Sequence, residues 1–345
     1  MLKTNYKDIF TLSSATLNKY DKDLYTFLLQ WKSNSKTISV QTSGSTGIPQ
    51  KLELKREVLI QSAKATNKYF NLDSNSIYLL CLPSKFIGGK MMLIRAITSK
   101  AKILISKASS PLLNLRQAKV DFCAMTSFQA ARCLEKSIDN FNSIDKLIIG
   151  GSGVNNELLN KLRNIKTSSY STFGMSETAS HIALRKLDNN SEIFECLSHI
   201  DISADKEDRL IITSKQLEID KLVTNDIVEI IDSKRFKWIA RKDNVINSGG
   251  IKIYPELVEK QLSKFINIDN FFIDKAPHKN LGQQVVIVLN DLVDKDLLLK
   301  AIDSLDKYQK PKLFYQIREF TLTNNNKLNR AESKKNAKEI TILAE

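Results

Sequence analysis

The chain has 345 residues, 42% hydrophobic and 26% charged, a balance that suits a globular protein with a substantial core and excludes disordered and fibrous classes. Its formal net charge of +14 comes from lysines scattered among acidic residues and dense only from Lys327 to Lys338. That is a solvated basic surface and lacks the basic stripe with interleaved aromatics of a nucleic-acid binder, which disfavours nucleic acid as a partner.

In chain order, the start, Met1 to Asp8, has no apolar leader, and no later run reaches the ~20 apolar residues of a bilayer span, so the expected location is cytoplasmic. Lys36 to Gln41 reads as a strand that runs into Thr42-Ser43-Gly44-Ser45-Thr46-Gly47-Ile48-Pro49, where hydroxyl side chains alternate with glycines. Glycines allow backbone N–H groups to approach an anion, and each hydroxyl can donate to a phosphate oxygen. On its own, the segment reads equally as a phosphate clamp or as an exposed turn before the helix-like stretch from Glu57 to Phe70. Ser76 to Leu82 reads as a buried strand, Gly89 to Lys100 as a helix, and Lys102 to Ile105 and Lys146 to Gly150 as strands, the rhythm of an α/β sheet. Leu210 to Thr213, Ile227 to Ile231 and Phe236 to Ala240 form a short β-rich module, after which the texture changes near residue 243. Helix Pro255 to Phe265, strands Phe271 to Asp274 and Gln284 to Leu289, helix Lys295 to Leu305 and strand Leu313 to Glu319 predict a compact α+β unit. The expected organisation is a large α/β domain over 1–242 and a smaller one over 243–345. Cys81, Cys123, Cys133 and Cys196 show no paired ligand spacing and read as reduced structural thiols.

A second cluster, Thr172-Phe173-Gly174-Met175-Ser176-Glu177-Thr178, puts a hydroxyl and a carboxylate within one turn, chemistry suited to a phosphate at Ser176 and Mg²⁺ at Glu177. Asn225-Asp226 then closes an apolar run, Arg241 and Asp243 follow, Ser248 to Glu256 is a glycine-rich turn into a helix, and Asn326-Lys327 lies near the C-terminus. In order and spacing these five motifs resemble those of the adenylate-forming superfamily, which includes acyl-CoA ligases, luciferases and peptide-synthetase adenylation domains. Residues 42–49 are similar to its T-S-G-S/T-T-G-x-P-K, 172–177 to Y-G-x-T-E, and Asp226 to the aspartate of T-G-D. Residues 241–256 are similar to G-R-x-D-x-I-x-x-x-G-x-x-I-x-P-x-E-I-E, and Asn326-Lys327 to the G-K before a last basic residue, here Arg330.

The resemblance implies a large α/β domain with a small mobile C-terminal one, and the cofactors ATP, Mg²⁺ and coenzyme A. It implies that Thr42, Ser43, Gly44, Ser45, Thr46 and Gly47 hold the β and γ phosphates, that Ser176 meets the α-phosphate and that Glu177 holds the metal. Asp226 and Arg241 would grip the ribose, while Gly151, Ser152 and Gly153 with Ser171, Thr172, Phe173 and Gly174 would line the adenine pocket. Lys327 would reach the acyl carboxylate and α-phosphate, Asp243 is placed at the interdomain hinge, and Gly249 and Gly250 in the coenzyme A tunnel. Gln50 replaces the loop lysine, with Lys51 one place later; Phe173 replaces Tyr, Ser176 replaces Thr, and Asn225 and Asn326 replace glycines. The stretch before the loop is much shorter than the family's, so an N-terminal subdomain is expected to be largely missing.

Within the superfamily, Gly88 to Arg95 and Ser176 to Ala183 resemble the o-succinylbenzoate CoA ligases of menaquinone biosynthesis. That acid carries two carboxylates, one activated and one needing a cation, for which Lys90, Arg95 and His181 are candidates, with Phe86 offering a face to the ring. The plain alternatives are a surface helix charge for Arg95 and a hydrogen-bonded structural histidine for His181. Two other readings stay open: an adenylation enzyme for another aryl or fatty acid or for a carrier protein, and a non-catalytic nucleotide-binding relic.

Overall fold

The computed structural model describes residues 1–41, 51–108, 115, 119–151, 153–188, 191–322 and 328–341. These group into two compact units, one of residues 1–202, 212–222 and 232–235, the other of residues 203–211, 223–231 and 236–345. Both therefore take segments from upstream of the 242/243 boundary read from the sequence.

The first unit contains strands β1 (Leu2–Asn5), β2 (Thr37–Gln41), β3 (Lys51–Lys55), β4 (Ile77–Leu80), β5 (Lys102–Ile105), β6 (Val120–Thr126), β7 (Ile144–Gly150), β8 (Ser168–Gly174), β9 (His181–Lys186) and β10 (Ile193–Cys196). Its helices are α1 (Ser14–Asn18), α2 (Leu24–Lys32), α3 (Arg56–Tyr69), α4 (Ile87–Thr98), α5 (Ser127–Lys136), α6 (Ile138–Asn142) and α7 (Asn156–Arg163). In the main sheet, the strands of this unit follow one another in the order β1-β5-β4-β6-β7-β8-β9-β10, while β2 and β3 pair separately. From β5 through β8 the pairing is parallel, and β1, β9 and β10 pair antiparallel at the flanks. Parallel strands covered on both faces read as unbroken apolar runs, and Ile77-Tyr78-Leu79-Leu80 and Leu147-Ile148-Ile149 are of that kind. Leu79, Val120, Cys123, Phe141, Leu147, Ile149, Leu158 and Leu162 build one core layer between the sheet and its helices. Helix α5 starts on a capping box, in which the Thr126 side chain accepts from the Gln129 N–H and the Gln129 side chain accepts from the Thr126 N–H.

Strands β11 (Asp201–Ala204), β12 (Arg209–Ser214), β13 (Ile219–Ile230) and β14 (Arg235–Arg241) contribute residues to both units. The second unit continues with a 3₁₀ turn, Lys242–Asn244, then β15 (Ile246–Ser248), β16 (Ile251–Ile253), α8 (Pro255–Leu262), β17 (Phe271–His278), β18 (Gly282–Asn290), α9 (Lys295–Asp303), β19 (Leu313–Ile317), α10 (Arg330–Asn336) and β20 (Lys338–Ile340). A second sheet runs β16-β15-β18-β19-β20, with β17 also on β18. Val258 and Leu262 of α8 and Leu298 and Ala301 of α9 pack against Phe271, Ile273, Val285 and Ile287 of that sheet. This is the α+β unit expected from the sequence. All four cysteines are free and buried, and burial pushes the Cys123 thiol well up and the Cys196 thiol up to about 12.

Candidate functional site

In open α/β sheets, ligands bind beyond the carboxyl ends of the parallel strands. Thr126 of β6 is in register with Gly150 of β7, and Ile149 of β7 with Ser171 of β8, so Gly151 and the segment after Gly174 leave the sheet at the ends of adjacent parallel strands. Gly151 takes a φ of +96°, in the left-handed region, and Gly153 is exposed; Ser152 lies outside the described residues. The Thr172 hydroxyl donates to the Ile149 carbonyl at 3.2 Å, and a Cβ at Gly150 would stand 2.7 Å from Thr172 Oγ1. Phe173, where the family has Tyr, packs edge-on against Phe194, centroids 5.9 Å apart.

A bulge between Phe173 and Gly174 sets Gly174 opposite His181. The turn that follows is pinned by the fully buried Thr178, whose hydroxyl accepts from the Met175 N–H at 3.1 Å and lies 2.7 Å from the Ser180 carbonyl. Ala179 completes it with a φ of 62°. Ser176 is half-buried and Glu177 exposed on this turn. A hydroxyl and a carboxylate at the end of a sheet strand can meet a phosphate and a hard cation.

The clamp residues Thr42, Ser43, Gly44, Ser45, Thr46 and Gly47 lie outside the described residues, but the stem that carries them does not. Strands β2 and β3 form an antiparallel pair closed by Gln41 opposite Lys51, and Gln41 also bridges Phe86, the residue before α4. Lys90 is nearly buried, and its ammonium donates to the Ser39 carbonyl of β2 at 3.0 Å and lies 5.8 Å from the Phe27 ring centroid. Burial lowers its pKa against the pull of Asp23 and Asp21. The ammonium thus braces the β2–β3 ribbon at Ser39.

Arg95 is not a surface helix charge: it is 1% exposed. Its Nη2 donates to the Ser180 hydroxyl at 2.6 Å and lies 3.4 Å from His181 Nδ1, while its buried Nε has no hydrogen-bond partner. Among the described residues no carboxylate forms an ion pair with it. Burial brings the guanidinium down to about 10. His181 is buried too, with Nε2 3.4 Å from the Thr66 hydroxyl, and burial followed by the Arg95 charge holds its pKa well below the usual histidine range. Sequence reasoning missed Ser180, which joins the two and carries no signal beyond its place in the turn.

In the second unit, Asp226 of β13 faces Arg241 of β14 in register, with Arg241 Nη1 3.6 Å from Asp226 Oδ2. Asp226 is 5% exposed, and its Oδ1 accepts from the Trp238 indole N–H at 2.9 Å, a partner missed in the sequence. Arg241 Nη2 also pairs with Asp243 at 3.1 Å, Asn225 Nδ2 lies 3.4 Å from both Asp243 oxygens, and the Lys275 ammonium donates to the Asp243 carbonyl at 3.0 Å. Gly249 and Gly250, φ +59° and +85°, turn β15 into β16, the two positive values a primed hairpin turn requires. Lys327 lies outside the described residues. Just after it, Leu328 bridges Leu322, and Arg330 makes a two-pronged bond to the buried Glu259 at 2.7 and 2.8 Å.

Residues 30–208 match the AMP-binding enzyme family. Over 92% of the chain it is 22% identical to a 2-succinylbenzoate–CoA ligase of Staphylococcus epidermidis, of which the match covers 73%, and over 80% it is 23% identical to the enzyme of that name from Haemophilus influenzae, covering 65%. Among solved structures, an acyl-CoA synthetase (AMP-forming)/AMP-acid ligase II-like protein from Dyadobacter fermentans is 30% identical, with 96% of this chain and 98% of that one aligned at a TM-score of 0.65. The o-succinylbenzoate CoA synthetase of Bacillus subtilis, solved with its acyl-adenylate intermediate, shares the fold at a TM-score of 0.74 and 20% identity over 85% of this chain and 68% of its own.

Proposed function

Because this chain belongs to the AMP-binding enzyme family, we propose that it is a cytoplasmic AMP-forming acid–thiol ligase that joins o-succinylbenzoate to coenzyme A for menaquinone biosynthesis. The observation that carries the choice of acid is Arg95: a buried guanidinium with no carboxylate of its own among the described residues suits a substrate with a second carboxylate. Phe86, beside Gln41, suits the aromatic ring.

In the first half-reaction a carboxylate oxygen attacks the α-phosphorus of ATP, a C–O–P bond forms and the bond to pyrophosphate breaks. In the second, the coenzyme A thiolate attacks the acyl carbon, the thioester forms and AMP leaves with the electron pair. Both partners of the first step are anions, so the barrier falls mainly through positioning and charge compensation. The clamp holds the β and γ phosphates, Ser176 donates to the α-phosphate, Asp226 accepts from and Arg241 donates to the ribose hydroxyls, and Lys327 bridges the acyl carboxylate and α-phosphate. Glu177 is an exposed hard-oxygen ligand, which suits Mg²⁺, a cation that takes one or two carboxylates plus substrate phosphates and would compensate the charge of the departing pyrophosphate.

Gly249 and Gly250 lie on the path we assign to the thiol, with Asp243 as the hinge between domains 1–242 and 243–345. A ligase of the same chemistry for another acid is the second reading, favoured by the 30%-identical relative, whose name specifies no acid. Pyrophosphate release with ATP, Mg²⁺ and o-succinylbenzoate, with and without coenzyme A and against aryl and fatty acids, tests both. Turnover confined to o-succinylbenzoate and dependent on coenzyme A is expected; turnover with a different acid replaces the substrate, and none with any acid removes the enzyme. Lys327→Ala should slow adenylate formation by about 10²–10³, read as the acyl-adenylate burst.

A further inference from the structure

Strands β13 and β14 are not a regular ladder. Asp226 pairs with Arg241 and Ile227 with Ala240, but Val228 pairs with Trp238, so Ile239 is an extra residue on β14. In an antiparallel pair, opposed residues point to one face and neighbours along a strand alternate. Without the bulge, Ile239 would oppose Val228 and share the face of Asp226, and Trp238 would point the other way. The extra residue reverses the alternation beyond Ala240 and brings the indole of Trp238 to the face of Asp226, where its N–H meets Oδ1 at 2.9 Å. Asp226 is fixed from a second direction as well, because its own N–H donates to the Thr224 hydroxyl at 3.1 Å.

We propose that Trp238 is a positioning residue for nucleotide recognition: it takes one oxygen of Asp226 and so commits the other, Oδ2 on the Arg241 side, to the ribose diol. This rests on the ribose role of Asp226 and Arg241 proposed above. The indole N–H can only donate, so it holds the carboxylate as an acceptor in one rotamer. Arg241 alone cannot do this. It stands 3.6 Å from Oδ2, beyond hydrogen-bond length, and is shared with Asp243 at 3.1 Å. A carboxylate free to rotate would present either oxygen to either hydroxyl and would distinguish ribose from deoxyribose less well.

The chain has only two tryptophans, and the other, Trp31, is buried against the Arg56 guanidinium at 3.8 Å, so Trp31→Phe leaves Trp238 as a single fluorescent reporter. Titration of that protein with AMP should give a saturable change in emission. In pyrophosphate exchange, Trp238→Phe should raise the KM for ATP about tenfold, leave kcat within about twofold, and reduce the preference for ATP over 2′-deoxyATP. A merely structural role would lower kcat and the melting temperature and leave that preference unchanged. If Asp226→Asn leaves the KM for ATP unaltered, the ribose reading itself fails. If Asp226→Asn raises it while Trp238→Phe changes neither KM nor selectivity, the ribose reading stands and the role of Trp238 is overturned. Should Trp238→Phe not fold, an unchanged emission at AMP saturation, with binding verified by equilibrium dialysis, overturns it equally.

Discussion

A methyl group on residue 174 would stand 2.4 Å from the His181 Cα and from the Ser180 carbonyl oxygen, and both are backbone atoms that cannot swing aside. Gly174→Ala should therefore cost about 1–3 kcal/mol of overpacking strain and push the turn carrying Ser176 and Glu177 out of register. A fall in the urea midpoint together with a loss of adenylate formation would record both effects. Arg95 makes the opposite case, a large charged side chain to which no carboxylate among the described residues is paired. Arg95→Lys keeps the charge and loses the planar fork that bonds Ser180. Its KM for o-succinylbenzoate should rise at least about tenfold while the KM for ATP stays near its original value. Equal changes in both would return Arg95 to a structural role.

At the scale of elements, the strands that the sequence revealed were those with a single strong period. Lys102 to Ile105 is β5, and Ile227 to Ile231 and Phe236 to Ala240 lie almost wholly in β13 and β14. Strand β3, Lys-Leu-Glu-Leu-Lys, alternates too, but five residues with three charges carry little apolar weight, and its pairing with β2 is not written in either segment alone. The bulge at Ile239 was invisible for a related reason: a one-residue shift between two strands is a property of the pair. The turns at Ser176-Glu177 and Gly249-Gly250 were legible in their motifs, but not the partners that hold them, Thr178 and Leu281, nor the burial of Arg95. The pair Glu259–Arg330 is another such partnership, tying α8 to the start of α10, with Ile273 donating its N–H to Glu259 at 2.8 Å. Burial pushes the Glu259 carboxyl up despite Arg330. Arg330→Met, which strands that carboxyl, should cost about 3–5 kcal/mol in urea unfolding, and Glu259→Leu with Arg330→Met should recover most of it.

Over the whole molecule, pH acts on stability through the buried His181 and the half-buried His199. His181 has its folded pKa depressed well below 6.5 by burial and by Arg95, and His199 is lowered by burial and Lys234. An unfolded chain therefore binds more protons than the folded one below pH 6.5, so stability is complete above that value and declines as pH falls through it. The slope is at most about 1.4 kcal/mol per pH unit for each histidine. Urea midpoints between pH 8 and 5 should fall on acidification, and His181→Gln should flatten the decline. The cysteines carry a different consequence. All four are sealed inside, two of them with thiols raised far from neutrality, so the native protein should ignore maleimides near pH 7. A cysteine introduced at exposed Lys100 and another at exposed Asp296 would then be the reactive pair. Spin labels attached there would serve as a ruler for the distance between the two units through each half-reaction, with no native cysteine removed first.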